Sequence, residues 1–133
     1  MVPAKIVSPD EIPDKDFPFV LTTGRLLEHW HTGSMTMRAT ILNSIEPEPY
    51  VHISNKDMKK NNLSQNETVQ LSTRRGKVDV KVRIDRMLPE GMVFMPFCFE
   101  KAPVNLLTNQ ALDPDGKIPE LKYCAAKINK VSA

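Results

Sequence analysis

Cysteine, glycine and aromatic residues are all scarce in this chain of 133 residues, and each scarcity excludes something. The two cysteines, Cys98 and Cys124, fit none of the close-spaced patterns that hold zinc or iron–sulfur clusters. A disulfide between them has no support, and both are read as small buried thiols. Five glycines stand against eleven prolines, and Pro47, Pro49, Pro89 and Pro96 sit at the ends of apolar runs. That punctuation argues against a helical bundle and suits short strands joined by irregular loops. Neither sign of charge dominates: 18 basic residues against 16 acidic ones leave a net charge of +2, so nothing pulls the chain toward nucleic acid or anionic membrane. Long apolar runs are missing too; pieces such as Met92-Val93-Phe94-Met95 are strand-sized, and no membrane span is expected. No basic segment followed by an apolar one opens the chain, so no signal peptide is expected and a cytoplasmic location is the default.

What is present suits one domain with a single core: 41% hydrophobic and 26% charged residues. Residues 1–16, with Pro3, Pro9, Pro13 and four acidic side chains, read as a linker or extended lead-in, and residues 17–133 as the domain. Strands are expected over 17–23, 50–54, 68–72, 77–84, 92–96 and 123–131. The clearest is Lys77 to Ile84, where Val78, Val80, Val82 and Ile84 face inward and charges outward. Thr73-Arg74-Arg75-Gly76 makes it one arm of a hairpin. One short amphipathic helix is expected to include Met35, Met37, Ile41 and Leu42. A second spans 55–63, capped by Ser54 or Asn55, with Met58 and Leu63 pointing inward. Many short strands with one or two short helices point to a small closed β-barrel.

The richest stretch runs from Thr22 to Arg38. Phe19-Val20-Leu21 leads into Thr22, Thr23 and Gly24, where side chains shrink and hydroxyls appear; Arg25, His29, Trp30 and His31 follow, then Thr32, Gly33 and Ser34. Hydroxyl, guanidinium and splayed backbone N–H donors at one strand end suit a phosphate or pyrophosphate, and flat side chains suit a heteroaromatic ring. Gly24 taken alone reads as a turn glycine, and its neighbours are what change that reading. His29 and His31 share a face if the segment is extended, where with Trp30 they either wall a cofactor or pack the barrel mouth. With His52 they would make three imidazoles, but no carboxylate or thiolate is placed to orient them on zinc.

Elsewhere the signals are weaker. Arg74, Arg75 and Lys77 read as a solvated hairpin tip, since nucleic-acid binding would need interleaved aromatics on the adjoining strands. The long loop over 99–120 carries Asn105, Thr108 and Asn109, whose amides either read a purine or pterin edge or cap turns, with Leu106 and Leu107 as anchors. Lys122 precedes the last strand and alone reads as solvent-facing. No nucleophile is paired with a base and no carboxylates face each other, so the domain by itself is expected to catalyse nothing.

Leu-Thr-Thr-Gly-Arg at 21–25, followed by Glu-His-Trp-His-Thr-Gly-Ser-Met-Thr at 28–36, resembles the C-terminal molybdopterin-dinucleotide-binding domain of molybdenum and tungsten oxidoreductases. Ser-Thr-Arg-Arg-Gly-Lys-Val at 72–78, Val-Phe-Met-Pro-Phe at 93–97, Asn-Leu-Leu-Thr-Asn at 105–109 and Ile-Pro-Glu-Leu-Lys-Tyr-Cys-Ala at 118–125 agree in order and spacing. The likeness covers Phe17 to Val131, and its His-Trp-His-Thr-Gly form is most similar to formate dehydrogenase alpha subunits, with nitrate reductases as the nearest rivals. The resemblance implies a mainly β fold: a six-stranded double-psi β-barrel with a few short helices. It implies molybdopterin guanine dinucleotide as cofactor, its dithiolene sulfurs ligating molybdenum or tungsten. Thr22, Gly24, Arg25 and Leu26 would then contact the dinucleotide; His29, Trp30 and His31 would line the pterin and pyrophosphate; Phe97, Asn105 and Lys122 would face the cofactor from the other side. The expected partners are the remaining domains of a catalytic subunit and an iron–sulfur electron-transfer protein, because the metal-ligating cysteine or selenocysteine and the iron–sulfur site of such subunits have no counterpart here. A cofactor-free interaction barrel is the alternative from another class.

Overall fold

The structure, a computed structural model, describes residue 3 and residues 5–131. Six strands, β1 (Phe19–Gly24), β2 (Tyr50–Ile53), β3 (Thr68–Ser72), β4 (Lys77–Ile84), β5 (Met92–Pro96) and β6 (Cys124–Lys130), close into a barrel in the order β1-β5-β2-β4-β3-β6. This is the double-psi β-barrel that the resemblance implies. The β1·β5 and β2·β4 pairs are parallel and the other four antiparallel. Alternation decides which side chains fill the interior: Phe19 and Leu21, Val51 and Ile53, Val69 and Leu71, Val78, Val80 and Val82, and Val93 and Met95 are all buried. Each such side chain contributes roughly 1.5–3 kcal/mol on leaving water. Ile84, at the end of β4, is only partly buried against this core.

Two short helices lie outside the barrel. The first, α1 (Thr40–Ile45), is preceded by a 3-10 turn at Thr36–Arg38, and neither piece buries any residue. The single amphipathic helix expected here is therefore divided, because Ala39 is extended (φ −83°, ψ 108°) between the two pieces. Met35, Ile41 and Ile45 face solvent, Ile41 with 76% of its surface exposed. The second helix, α2 (Asn55–Lys60), forms where expected but ends three residues short of position 63. The Ser54 hydroxyl accepts from Asp57 N–H at 3.1 Å and donates to Asp57 Oδ2 at 2.7 Å, and that carboxylate also accepts from Gly91 N–H. Lys59 and Lys60 occupy its last turn, where cations complement the helix dipole. Asn62, at φ 54°, turns the chain so that Leu63 is buried beyond the helix end.

The lead-in is extended, and Glu11 ties it to the barrel. Strand β3 stops at Ser72, opposite Lys127, so the β6 edge beyond that point lacks a ladder partner. Glu11 Oε1 accepts there from Ala125 N–H at 3.1 Å and from Arg74 Nη1 at 2.7 Å, while Oε2 pairs with Arg75 Nη1. Asp14 also pairs with Arg74, whose guanidinium lies 4.7 Å from the Phe17 ring centroid. The hairpin tip expected to be solvated is thus partly covered. Its arginines are neutralised by carboxylates some sixty residues upstream, out of reach of any local pattern.

Burial alone would raise the Glu11 pKa, but the hydrogen bonds and charge of Arg75, with help from Arg74 and Ala125 N–H, outweigh it and hold the carboxyl below its ordinary 4.5. A depressed folded-state pKa stabilises the protein fully above the unfolded value and less as pH falls through the folded one. Acid titration of stability should therefore show a loss beginning below about pH 4.5 that is shallower in Glu11→Gln. Identical acid limbs in the two proteins would remove this role.

Candidate functional site

Strand direction decides where the polar loops gather. The C-terminal ends of β1 and β5, which run parallel, lie at one end of the barrel. Because β6 is antiparallel to β1 and β3, its N-terminal end lies there with the β3–β4 turn, and the start of β2 does too. Residues 25–49, 73–76 and 97–123 therefore all leave from one rim. The opposite end has only shorter connections and α2.

At this rim Phe97 N–H donates to the Gly24 carbonyl at 3.2 Å, and the Phe97 ring meets the edge of His31 with 5.3 Å between centroids. Lys122 Nζ donates to the Thr23 carbonyl at 3.1 Å, and Thr23 Oγ1 donates to the Leu121 carbonyl at 2.9 Å. The β1 end, His31, Phe97 and Lys122 are thus one assembly. Arg25 is exposed beside it, and Leu26 and Thr22 are half-buried. Among the described residues neither Arg25 nor Lys122 enters an ion pair, whereas the hairpin arginines do. Arg25 and Lys122 are thus two unpaired cations beside the β1 end, within reach of an anionic ligand there.

The need for glycine at position 24 comes from a neighbouring ring, and two expectations are corrected. A Cβ at Gly24 would lie 2.7 Å from Phe94 Cε2, so the space beside this glycine belongs to the Phe94 ring, itself edge-on to His52. His29 and His31 do not share a face, because the segment is not extended: His31 has φ 50° and is exposed, while His29 is 1% exposed. The His29 ring bonds to the Glu46 carbonyl through Nε2 at 2.7 Å and to Thr36 Oγ1 through Nδ1 at 3.2 Å, against the edge of Phe99. That carbonyl can only accept, so Nε2 carries the proton. His29 bolts the 25–46 excursion together, with no ring nitrogen left for a ligand. Of the two proposed loop anchors, Leu107 is buried and Leu106 is exposed.

Trp30 is 69% exposed at the outer face of the same excursion. Asn105 is exposed in a 3-10 turn at Val104–Leu106, packed against the β3–β4 hairpin. It shares the rim with Gly24 and Trp30, but none of the described cavities is lined by these residues together. Asn109 is buried and fixes the loop: its amide donates to Glu120 and to the Tyr123 carbonyl, and its oxygen accepts from Ala111 N–H. Turn capping therefore describes Asn109, while the amide of Asn105 stays free for other partners. Thr108 likewise bonds back to the Asn105 carbonyl.

A cavity of about 540 Å³ opens beside Thr32, Gly33 and Ser34 and is closed by Arg38, Asn43, Phe99 and Lys101. It lies next to the rim assembly, because its wall residues Thr32 and Cys98 directly follow His31 and Phe97, which touch. Its size falls in the range of small-molecule sites. Arg38, Asn43 and Lys101 carried no sequence signal, each being a lone polar residue in a loop or short helix. Burial raises the Cys98 thiol to about 11, which fits an inert wall residue. Among the described residues no group of three or more His, Cys, Asp or Glu could hold a metal ion, and no helix is long and apolar enough to cross a membrane.

Comparison with known proteins agrees with this geometry. Residues 19–125 match the model of the molydopterin dinucleotide binding domain. The chain is 47% identical over 121 residues to the F420-dependent formate dehydrogenase subunit alpha of Methanocaldococcus jannaschii, covering 91% of this chain. It is 45% identical over 123 residues to the F420-dependent formate dehydrogenase 1 subunit alpha of Methanococcus maripaludis, covering 92%. In both cases it spans only 18% of the relative's length. Acetylene hydratase from Pelobacter acetylenicus superposes with a TM-score of 0.78 over 88% of this chain and 19% of its own, and at 21% identity it shares the fold. The barrel, its polar rim and the match across five of its strands and the start of the sixth make one case: this chain belongs to the molydopterin dinucleotide binding domain family.

Proposed function

We propose that this chain holds molybdopterin guanine dinucleotide at its polar rim as part of a formate dehydrogenase alpha subunit. The observation that carries the reading is the pair of cations, Arg25 and Lys122, standing free of carboxylates beside the β1 end. A pyrophosphate needs such donors, and Lys122 is already held at the β1 end by its bond to the Thr23 carbonyl. Arg25 and Lys122 take the charged oxygens and the Thr22 hydroxyl adds a donor. His31 and Phe97 supply flat walls, with Trp30 and Leu26 at the margin and the Asn105 amide facing a ring edge. Gly24 and His29 act from behind, one by admitting Phe94 and the other by fixing the excursion. Thr32, Ser34, Arg38 and Lys101 extend the donor set into the adjoining cavity. When bound, the cofactor supplies a molybdenum or tungsten centre for two-electron oxidation of formate to carbon dioxide. The chain's own residues bind and orient it.

The two relatives being formate dehydrogenase subunits supports the substrate, and their far greater length supports further domains as partners, with an iron–sulfur acceptor and a cytoplasmic site completing the proposal. Exposed Leu27, Ile41 and Ile45, on an excursion whose helices bury nothing, fit a face that packs against those domains.

Titration of the chain with guanosine diphosphate, followed by fluorescence of Trp30, its single tryptophan, tests the reading. Arg25→Ala and Lys122→Ala should each weaken binding about tenfold, each losing a charge-assisted contact of roughly 1.5 kcal/mol, and added salt should weaken it further. Lys77→Ala, on the hairpin, should change nothing. Binding that survives both rim variants would overturn the placement of the cofactor at the rim.

A further inference from the structure

Both loops that bring Asn105 and Lys122 to the rim are held from behind by carboxylates, and one of these comes from the lead-in. Arg75, pinned by Glu11, donates through Nε to the Leu107 carbonyl at 3.1 Å. That carbonyl ends the 3-10 turn bearing Asn105, and its neighbour Leu107 N–H closes the turn on the Val104 carbonyl at 2.8 Å. Glu120 Oε2 accepts from Asn109 Nδ2 at 2.9 Å and from Asp10 N–H at 3.2 Å, the residue next to Glu11. Glu120 N–H in turn donates to the Ala111 carbonyl, and one residue on, the Leu121 carbonyl accepts from Thr23. Two adjacent residues of the lead-in thus touch the supports of both rim loops.

We infer that Glu11 is a positioning residue for the rim: by clamping Arg75 and seating Asp10 on Glu120, it sets where the Asn105 turn and the Lys122 turn stand. The inference deepens the cofactor reading and rests on it for the meaning of the rim, though not for the clamp itself. Several features favour positioning over mere attachment. Glu11 has 12% of its side chain exposed and serves three donors with two oxygens. Arg75 passes the constraint on through a different nitrogen from the one that Glu11 holds. Asp14, three residues later, pairs with Arg74 alone among the hairpin cations and reaches neither rim loop. The lead-in therefore carries one carboxylate coupled to the rim and one that is not, and the second is the natural control.

The experiment compares the full 133-residue chain with Glu11→Gln and Asp14→Asn at neutral pH, well below unfolding. Amide hydrogen exchange is read at Leu107, Asn109 and Glu120, and guanosine diphosphate affinity by Trp30 fluorescence. Glu11→Gln should speed exchange at these three amides about tenfold and weaken the nucleotide by a similar factor, leaving β2 and α2 unchanged. Asp14→Asn should move neither. If Glu11→Gln does not fold, Arg75→Lys keeps a cation for Glu11 while losing the donor to Leu107, and its exchange at Leu107 should rise. Faster exchange at Ala125 alone, or equal effects from Glu11→Gln and Asp14→Asn, would overturn the inference. A wild-type chain that binds no guanosine diphosphate would count against the cofactor reading, while the exchange arm still decides the clamp.

Discussion

His29→Ala should destabilise the domain by about 3–4 kcal/mol, and His31→Ala by no more than about 0.5 kcal/mol. The two imidazoles stand one residue apart and look interchangeable in the sequence, yet their surroundings differ. His29 is enclosed against Phe99 and bonds to Thr36 and to the Glu46 carbonyl. Removing the ring leaves a void the size of an aromatic side chain and takes from the part-buried Glu46 carbonyl its one hydrogen-bond donor among the described residues. Thr36 loses one partner but keeps the Trp30 N–H. His31 is exposed and gives up only an edge contact with Phe97. Urea unfolding of the two variants reads the difference directly. Affinity at the rim should respond in the opposite order once each protein is folded, since only His31 has a free face there. Equal stabilities would mean that His29 is no bolt.

Gly33→Ala should cost about 2–4 kcal/mol, combining left-handed backbone strain with overpacking. Gly33 sits at φ +76°, and a Cβ there would lie 2.7 Å from the Cys98 carbonyl oxygen, a backbone atom that cannot swing aside. Gly91 separates the two contributions. Its φ is +80° but nothing lies within 4 Å of its would-be Cβ, so Gly91→Ala should show the strain alone, about 1–2 kcal/mol. The excess at Gly33 measures how tightly the 25–49 excursion is pressed onto the β5 end. Because Gly33 and Cys98 form part of one cavity wall, the same substitution should also reshape that cavity. Equal losses in the two variants, by urea midpoint, would show that the approach to Cys98 is not a constraint.

The barrel was legible wherever one face of a strand meets oil and the other meets water. Lys77 to Ile84 alternates fully, and Val78, Val80 and Val82 lie where alternation puts them. Ser54 as the cap of α2 was legible too, because capping is local chemistry. The 35–42 segment misled because its apolar residues follow a helical spacing without a core to meet, and Ala39 breaks the helix in two. For the site, residue types at the β1 end spoke clearly, since hydroxyls, a glycine and a cation there have few bland explanations together. Their roles did not. The neighbour that makes Gly24 necessary is Phe94, seventy residues later, and the partner that buries His29 is a carbonyl of Glu46, which has no sequence signature at all. Glu11 and Arg75 lie 64 residues apart, so no local pattern shows that the extended lead-in is docked there. Contacts between backbone and side chain across such separations are fixed by the closing of the barrel and appear in no local pattern.

Closure of the ladder, with every long excursion leaving from one end, lets cylinder and crown diverge separately. A residue inserted in β1 would turn Leu21 and Thr23 inside out and break register with two neighbours at once. One inserted at the exposed 114–117 tip would lie beyond the Leu112–Pro119 bridge and meet no barrel strand. Ligand preference can therefore drift in the crown while the cylinder stays constant, and transplanting a relative's crown onto this cylinder is a practical way to change what it grips.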